Sequence, residues 1–535
     1  MKTMISSIIL ASCLALPLAS CSDSDVAPEQ KDWSTTTYFY SADAAMQDTY
    51  YKPTVGYVGD PMPFFDPVAG DFKVLYLQDF RPNPEGTYHP IWGVSTKDAA
   101  HYTSLGELVS CGTKKSQDAA IGTGSTIYDE ASKLYYTFYT GNKYLPTGDE
   151  SAQAVMVATS PDFKTWTKDR TFLLKGQDFG YDKNDFRDPF VFKGDDGKFH
   201  MLVSTKKSGK GSLAEFVSDD LKNWTDNGVF MTMMWDRFYE CPDLFKMGDY
   251  WYLVYSEIHH AVRRVQYFKG RTLDELKACT ANDAGIWPDA HEGFLDSRGL
   301  YAGKTASDGT NRYLWGWCPT RSGKDNTAVG ASPAEPEWAG NLVCYKLIQH
   351  EDGTLTLGQV DAVSEKYNQD VAVEVKESQN MTEADGTYTL AGNTKQPDAY
   401  MLMGRLGNHN KISFTVTTTD KWDKFGISMV RGSDSKKYYT MVVNPENENN
   451  RKVNFEEQGV EGKGFIAGID GYVFARPADN VYNITIYTDN SICVMYINDV
   501  CSYTNRIYGI QKNCWSINSY NGANVKISNL KISQY

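Results

Sequence analysis

The chain has 535 residues, a formal net charge of −14 at neutral pH and 13% aromatic residues. This length exceeds what one ordinary core holds, so two domains are expected. The acidic balance argues against a nucleic-acid-binding protein and against a basic membrane-binding face, and it favours a neutral or polyol ligand. The aromatic content and the many glycine-containing turns predict an all-β architecture.

The N-terminus predicts a targeting segment that is not part of the fold. Lys2 carries positive charge, and residues 5–18 form an apolar stretch too short to span a bilayer comfortably. The sequence Leu18-Ala19-Ser20-Cys21 resembles the lipobox of bacterial lipoproteins, whose cysteine is acylated. We therefore predict a signal peptide over 1–21, lipid attachment at Cys21 and a flexible tether over 22–35. The protein is expected to be exported and anchored by its lipid on the periplasmic side or at the cell surface, with an ordinary secretory peptide as the alternative.

Of the ten cysteines, eight follow Cys21, and none of these shows Cys-x-x-Cys spacing. Zinc binding is therefore not predicted. Disulfides are possible in an exported protein, but their pairing cannot be deduced from the sequence. Cys241 is expected to be a free thiol.

Five similar units are predicted between residues 50 and 320. In each unit a polar residue precedes an aromatic or β-branched strand, a Gly/Asp turn follows, and a second strand returns. These polar residues recur at intervals of 52 to 65 residues and are Asp60, Ser125, Asp188, Glu240 and Asp296. Five units of about four strands predict a five-bladed β-propeller over 36–362. Because the innermost strands of a propeller line its channel, Asp60, Asp188 and Glu240 are expected to converge.

A second repeat supports the same period. Residues 160–166 match residues 218–224, and a weaker copy begins at Ser95. We interpret these segments as structural turns between outer strands, without a catalytic role.

The pattern changes near residue 360. Alternating strands are predicted over 412–417, 438–443, 481–488, 492–497 and 525–532. They indicate an antiparallel β-sandwich over 363–535, with a structural or accessory carbohydrate-binding role.

Three carboxylates carry the predicted chemistry. Two carboxyl groups on either side of a sugar are the usual equipment for glycoside hydrolysis, one as nucleophile or base and one as acid. Asp60 is the candidate nucleophile because its short side chain has a fixed position, and Glu240 is the candidate acid because it reaches further. Asp188 beside Arg187 is expected to stay ionised and to bind sugar hydroxyls more tightly in the transition state. A single such residue is more often a turn cap, but three at blade spacing favour catalysis.

These motifs resemble glycoside hydrolase family 32, the β-fructofuranosidases, over nearly the whole mature chain. Gly59-Asp60-Pro61 resembles the nucleophile motif Asn-Asp-Pro, and Arg187-Asp188-Pro189 matches the transition-state stabiliser Arg-Asp-Pro. Glu240-Cys241 matches the acid/base motif Glu-Cys. Further similar motifs, including Tyr301-Ala302, imply substrate-binding residues, which are Gln78, Thr123, Arg187, Cys241 and Trp317.

The resemblance implies a cofactor-independent retaining glycosidase that cleaves β-fructofuranosidic bonds in an oligo- or polysaccharide. Gly59, Met62 and Gly122 differ from the family pattern at positions that border the sugar pocket in the family. A sugar-binding lipoprotein without catalysis, an arabinose-type furanosidase and a fructosyltransferase remain alternatives. The linkage, exo or endo action and the oligomeric state are left open.

Overall fold

A computed structural model of the chain describes ten segments of the sequence, which are 49–80, 89–233, 238–257, 264–279, 292–297, 299–320, 338–431, 438–445, 453–458 and 476–535. The predicted signal peptide, Cys21 and the tether lie outside them. The described residues form a nearly all-β protein, as predicted, and none of their helices has both the length and the apolarity to cross a membrane.

The N-terminal half contains five antiparallel blades, each made of four consecutive strands. Blade 1 comprises β1 (Tyr57–Asp66), β2 (Asp71–Asp79), β3 (Ile91–Thr96) and β4 (Thr103–Val109). Blade 2 comprises β5 (Ala120–Asp129), β6 (Leu134–Asn142), β7 (Gln153–Ser160) and β8 (Thr167–Lys168). Blade 3 comprises β9 (Phe186–Lys193), β10 (Phe199–Lys207), β11 (Lys210–Ser218) and β12 (Thr225–Thr232), after a 3-10 turn at Gly176–Phe179.

Blade 4 comprises β13 (Glu240–Met247), β14 (Tyr250–Glu257), β15 (Arg264–Gly270) and β16 (Glu292–Leu295), with the short helix α1 (Leu273–Lys277) before β16. Blade 5 comprises β17 (Tyr301–Ser307), β18 (Arg312–Pro319), β19 (Gly340–Gln349) and β20 (Leu355–Gly358). The inner strands contact one another in the cyclic order β1, β5, β9, β13, β17 and back to β1, and β1 also pairs with β19 at Val58 and Gly340. The chain therefore closes into the predicted five-bladed propeller.

The second repeat forms the predicted turns between the third and fourth strands of blades 1 to 3. Asp98, Asp162 and Asp220 each accept two backbone N–H groups, at 2.8–3.0 Å, from the residues two and three positions ahead. The residue after each aspartate is buried and left-handed, with φ of 59°, 59° and 62° at Ala99, Phe163 and Leu221. In blade 1 the repeat begins at Thr96, one residue later than predicted, because Thr96 rather than Ser95 bonds to the aspartate.

Every inner strand carries a β-bulge at the same height in the channel, where two residues oppose one on the neighbouring strand. The residues just before the bulge form an upper tier of Gly59, Gly122, Arg187, Glu240 and Tyr301. The first bulged residues form a middle tier of Asp60, Thr123, Asp188, Cys241 and Ala302. The residues just after the bulge form a lower tier of Met62, Ser125, Phe190, Asp243 and Lys304.

The bulges correct the predicted alignment of the five units. Asp60 and Asp188 are equivalent, but Glu240 stands one residue earlier in its blade and Ser125 stands in the lower tier. Asp296 does not belong to the channel at all, because it follows β16 and faces the C-terminal domain. A bulge shifts the register by one residue without a signal in the residue types, so spacing alone could not show it.

The C-terminal half follows α2 (Asp361–Lys366) and is the predicted sandwich of two antiparallel sheets. One sheet contains β21 (Gln369–Val371), β23 (Met381–Ala384), β24 (Thr387–Ala391), β26 (His409–Thr418), β30 (Val481–Asp489), β31 (Ile492–Ile497), β32 (Cys501–Arg506) and β34 (Asn524–Gln534). The other contains β22 (Val375–Gln379), β25 (Ala399–Arg405), β27 (Lys424–Met429), β28 (Tyr438–Val443), β29 (Val453–Gln458) and β33 (Cys514–Tyr520).

The sandwich packs on the propeller through apolar and polar contacts. One buried apolar cluster includes propeller residues such as Trp315 and Tyr345 together with Ile492 and Tyr496 of the sandwich. Beside it, the fully buried Asp296 of the propeller accepts hydrogen bonds from Ser502 Oγ, Thr504 N and Thr504 Oγ1 at 2.7–2.8 Å. A buried carboxylate of the propeller thus accepts hydrogen bonds from the sandwich across the domain interface.

Asp296→Ala is therefore expected to destabilise the protein by about 3 kcal/mol, because it leaves several buried donors without an acceptor. Equilibrium chemical unfolding measures the change. Asp370→Ala is the matched control, since Asp370 is exposed in the sandwich and its loss should cost less than about 0.5 kcal/mol. Equal unfolding free energies for the two variants would contradict this account of the interface.

Candidate functional site

Asp60 is held by two donors from other blades. Trp317 Nε1 donates to Asp60 Oδ1 at 2.9 Å, and Thr123 Oγ1 donates to Asp60 Oδ2 at 2.8 Å. Burial raises the pKa of Asp60 from its usual value, and these two hydrogen bonds act against that rise. Both contacts stabilise the carboxylate form and fix its orientation, as a nucleophile requires.

Glu240 is held by two donors in the upper tier. Arg187 Nη2 donates to Glu240 Oε1 at 3.1 Å, and the Tyr301 hydroxyl donates to Glu240 Oε2. Burial and the Glu240 carboxylate raise the pKa of Tyr301, so the phenol keeps its proton and remains a donor. The Glu240 side chain is 17% exposed, compared with 6% for Asp188, so it is the more accessible to solvent.

Asp188 occupies the bulge of blade 3 with a left-handed backbone, φ 57°, followed by Pro189. Its Oδ2 accepts the backbone N–H of Cys241 at 2.9 Å. That N–H lies in the bulge of β13, and a bulge interrupts the ladder of hydrogen bonds between strands. The Asp188 carboxylate thus connects the bulge of β9 to the bulge of the neighbouring strand β13.

The pKa of Asp188 differs from the sequence expectation. Burial raises it to about 6, although the Arg187 guanidinium and the Cys241 N–H act in the opposite direction. The guanidinium is only a distant partner, with Nε 4.0 Å from Asp188 Oδ2, while its other nitrogens bind Asp185 at 2.7 Å and Glu240. Desolvation therefore outweighs the neighbouring positive charge.

Thr140 links Asp60 and Asp188 from behind. Its hydroxyl donates to the carbonyl oxygen of Thr123 at 2.9 Å and accepts the N–H of Asp188 at 2.9 Å. On the opposite side, the rings of Tyr301 and Trp317 meet edge to face with centroids 5.5 Å apart. Contacts therefore run around the channel and join all three predicted catalytic carboxylates in one site.

The structure brings four of the five predicted substrate-binding residues to this site. Thr123, Arg187 and Trp317 bind the carboxylates directly, and the buried Cys241 thiol lies 3.9 Å from Thr123 Oγ1. Gln78 differs, because it is fully buried on β2 opposite Val58 and donates to the carbonyl of Val55 at 2.5 Å. These contacts place Gln78 behind the segment that leads into Asp60, and its role in binding stays a prediction.

The three departures from the family pattern have different surroundings. A side chain at Gly59 would lie 2.3 Å from the indole of Trp338, so this ring fills the space that Gly59 leaves. A side chain at Gly122 would lie 3.0–3.1 Å from Thr140 and Asn142. Met62 is buried in the lower tier, where its sulfur accepts the N–H of Gly124 at 3.1 Å, so it supports the site from below.

Several residues of the site had no role in the sequence analysis. Tyr301 was part of a recognised motif, but nothing in the sequence indicated its contact with Glu240. Thr140 and Trp338 belong to strand and loop segments without a motif. Lys304, buried in the lower tier, is preceded by the small residues Ala302 and Gly303 and carries no signal of its own.

Comparisons with known proteins give matches over most of the chain. A family model described as "Glycosyl hydrolases family 32 N-terminal domain" matches residues 50–360, and one described as "GH32, BT1760-like, C-terminal domain" matches residues 353–532. A β-fructofuranosidase, the insoluble isoenzyme CWINV2 of Arabidopsis thaliana, is 27% identical over 320 residues, which are 54% of this chain and 51% of the relative. A sucrose-6-phosphate hydrolase of Vibrio alginolyticus is 26% identical over 240 residues, 42% of this chain and 45% of the relative.

Two solved structures have the same fold. Sucrose-6-phosphate hydrolase from Lactobacillus gasseri has a TM-score of 0.68 at 18% identity and covers 94% of this chain and 98% of its own. Exo-inulinase from Aspergillus awamori has a TM-score of 0.67 at 16% identity and covers 91% and 98%. The chain spans about half the length of the curated relatives that it matches by sequence. Because the N-terminal family model alone covers more than half of the sequence, this chain belongs to glycoside hydrolase family 32.

Proposed function

We propose that this protein is a glycosidase that cleaves β-fructofuranosidic bonds in fructans or fructo-oligosaccharides. The observation that carries the proposal is the joined set of three carboxylates, in which Asp60 and Glu240 each have two donors that fix both oxygens. The names of the relatives support the same bond class.

The proposed reaction is a double displacement with retention of the anomeric configuration. Asp60 attacks the anomeric carbon, and the departing oxygen takes a proton from Glu240. The covalent bond to Asp60 then breaks when water, deprotonated by Glu240, attacks the same carbon and releases fructose. Asp188 accepts hydrogen bonds from the sugar hydroxyls, which strengthen as positive charge develops on the ring.

Incubation of the purified protein with sucrose, inulin and levan, followed by sizing of the products, tests the proposal. Release of fructose or short oligosaccharides is expected, and NMR before mutarotation should show the β-anomer first. Cleavage of an arabinofuranoside without cleavage of any fructan would refute the bond class. Products longer than the substrate would show transfer to a sugar rather than to water.

The activity is expected to fall as the pH decreases through about 6. Asp188, whose pKa burial raises to about 6, accepts stronger hydrogen bonds from sugar hydroxyls as a carboxylate than as a neutral acid, and the carboxylate is lost below that pH. A profile of kcat/KM between pH 4 and 8 measures this decrease in activity on the acidic side. The apparent pKa of the decrease belongs to the coupled set of carboxylates. A rate that stays constant down to pH 4.5 would contradict the assignment of Asp188.

We also propose that Cys21 carries a lipid that anchors the protein to a bacterial membrane, on the basis of the lipobox. Cys21→Ala should move the protein from the membrane fraction to the soluble fraction, because the apolar acyl chains can no longer be attached. Fractionation followed by immunoblotting measures the distribution. An unchanged distribution would contradict the anchor.

A further inference from the structure

Asn142 is the last residue of β6, and the reaction above gives it no role. Asn142 and Thr140 are two positions apart on this strand, so their side chains lie on the same face, from which Thr140 contacts the site. Thr140 pairs with Gly122 of the upper tier, and Asn142 pairs with Ala120, two residues further from the middle tier. Asn142 therefore lies one step above the tier that holds Glu240.

The hydrogen bonds of Gln153 fix the orientation of the Asn142 amide. Gln153 Oε1 accepts the backbone N–H of Phe186 at 3.1 Å and Nη1 of Arg187 at 3.4 Å. Both partners can only donate, so this atom of Gln153 is the oxygen and the other is the nitrogen Nε2. Nε2 donates to Asn142 Oδ1 at 3.1 Å, which leaves Asn142 Nδ2 on the other side of the amide. The position of this nitrogen thus follows from the network of hydrogen bonds.

Asn142 Nδ2 faces the space that the missing side chain of Gly122 leaves open. A side chain at position 122 would begin 3.1 Å from Nδ2. Among the residues that the structure describes, none accepts a hydrogen bond from this nitrogen, and Asn142 is only partly buried. A donor that loses water on ligand binding is costly unless the ligand supplies an acceptor. A sugar hydroxyl that enters this space can accept from Nδ2.

The same network joins Asn142 to the proposed general acid. Arg187, which donates to Gln153, also donates through Nη2 to Glu240 Oε1 at 3.1 Å. Glu240 protonates the departing oxygen in the proposed reaction, so the leaving part of the substrate lies beside the upper tier. The Glu240 side chain is also more exposed than that of Asp188, so the site opens to solvent on the upper side. Asn142 therefore borders the leaving group rather than the fructosyl unit under attack.

We propose that Asn142 is a substrate-binding residue whose Nδ2 donates a hydrogen bond to a hydroxyl of the sugar unit that leaves. The absence of a side chain at Gly122 gives that hydroxyl room to approach. Asn142 thereby favours a saccharide as the leaving group over one without hydroxyls. The inference rests on the proposed function for the identity of the sugar, but a donor for a hydroxyl would serve any furanoside with a saccharide leaving group.

Binding to the Asp60→Ala protein tests the proposal without catalysis. Calorimetric titration compares a fructo-oligosaccharide, which occupies both sides of the scissile bond, with free fructose, which has no leaving unit. In this background, Asn142→Leu should weaken oligosaccharide binding by about fivefold, which is typical of one lost hydrogen bond between neutral groups. The Kd of fructose should remain unchanged.

Gly122→Ala is a second variant that leaves the Asn142 amide and its bond to Gln153 in place. The added methyl group would lie 3.1 Å from Asn142 Nδ2 and 3.0 Å from Thr140 Cβ, where the hydroxyl is proposed to approach. In the Asp60→Ala background it should also weaken binding of the oligosaccharide more than binding of fructose. Agreement of the two variants would assign the effect to the space beside Nδ2.

Kinetics separate this role from that of the acid. With Asp60 intact, Asn142→Leu should raise KM about fivefold on a fructan and change it much less on an activated aryl β-fructofuranoside, whose leaving group has no sugar hydroxyl. Loss of the acid would instead lower kcat on the fructan. Asp185→Asn is the matched control, because it removes the 2.7 Å ion pair of Arg187 without altering Asn142. Its effect should be similar on both substrates.

Each outcome decides the proposal. Equal weakening of oligosaccharide and fructose binding would assign Asn142 to the support of the site, and unchanged binding of both would show that the donor is not used; either result overturns the proposal. If Asn142→Leu does not fold, the Gly122→Ala titrations decide. If the wild type cleaves an arabinofuranoside and no fructan, the proposed function is refuted, and the same titrations with an arabino-oligosaccharide and free arabinose decide the role of Asn142. A protein that binds neither kind of oligosaccharide would overturn both proposals.

Discussion

Asp60→Ala is expected to lower fructan cleavage by about 10⁴-fold or more, and to do so equally on an activated aryl β-fructofuranoside. Without the carboxylate no covalent intermediate can form, whatever the leaving group. The donors from Trp317 and Thr123 remain in place but have no acceptor to orient. The loss should therefore appear in kcat and not only in KM.

A pre-steady-state burst of the aryl leaving group measures formation of the intermediate, and Asp60→Ala should show none. Asp66→Asn is the matched control, because Asp66 lies at the far end of the same strand and binds the Tyr135 hydroxyl at 2.8 Å. This control should retain the burst. A burst from Asp60→Ala would mean that another group is the nucleophile.

Glu240→Ala is expected to lose about 10²–10⁴-fold on a natural fructan, whose leaving oxygen requires a proton. On an activated aryl substrate the first step needs little protonation, so formation of the intermediate should be much less affected. Breakdown of the intermediate should remain slow, because no base activates water. Added azide should speed that second step, since this anion attacks without losing a proton.

Asp185→Asn is the control that separates the role of Glu240 as general acid from a general disturbance of the site. Asp185 binds Arg187 at 2.7 Å without contacting Glu240, so its loss perturbs the guanidinium but leaves the acid in place. Its effect should be similar on both substrates. Equal losses on both substrates for Glu240→Ala as well would contradict the role of Glu240 as general acid.

The sequence alone predicted the five-bladed propeller, the sandwich and the convergence of Asp60, Asp188 and Glu240. These predictions depend on local chemistry. The turns at Asp98, Asp162 and Asp220 are formed by side chains that bind backbone groups two and three residues ahead, so they leave a visible repeat. Strands in which apolar and polar residues alternate likewise reveal, in the sequence itself, which of their faces is buried.

The tertiary structure alone decided which residues meet across the channel. The bulges aligned Cys241 rather than Glu240 with Asp60 and Asp188, and a one-residue shift of register has no mark in the residue types. Asp296 turned out to join the domains because its partners lie more than two hundred positions away in the sandwich. Desolvation, which raises the pKa of Asp188, arises only once the ring of blades has closed and excluded water.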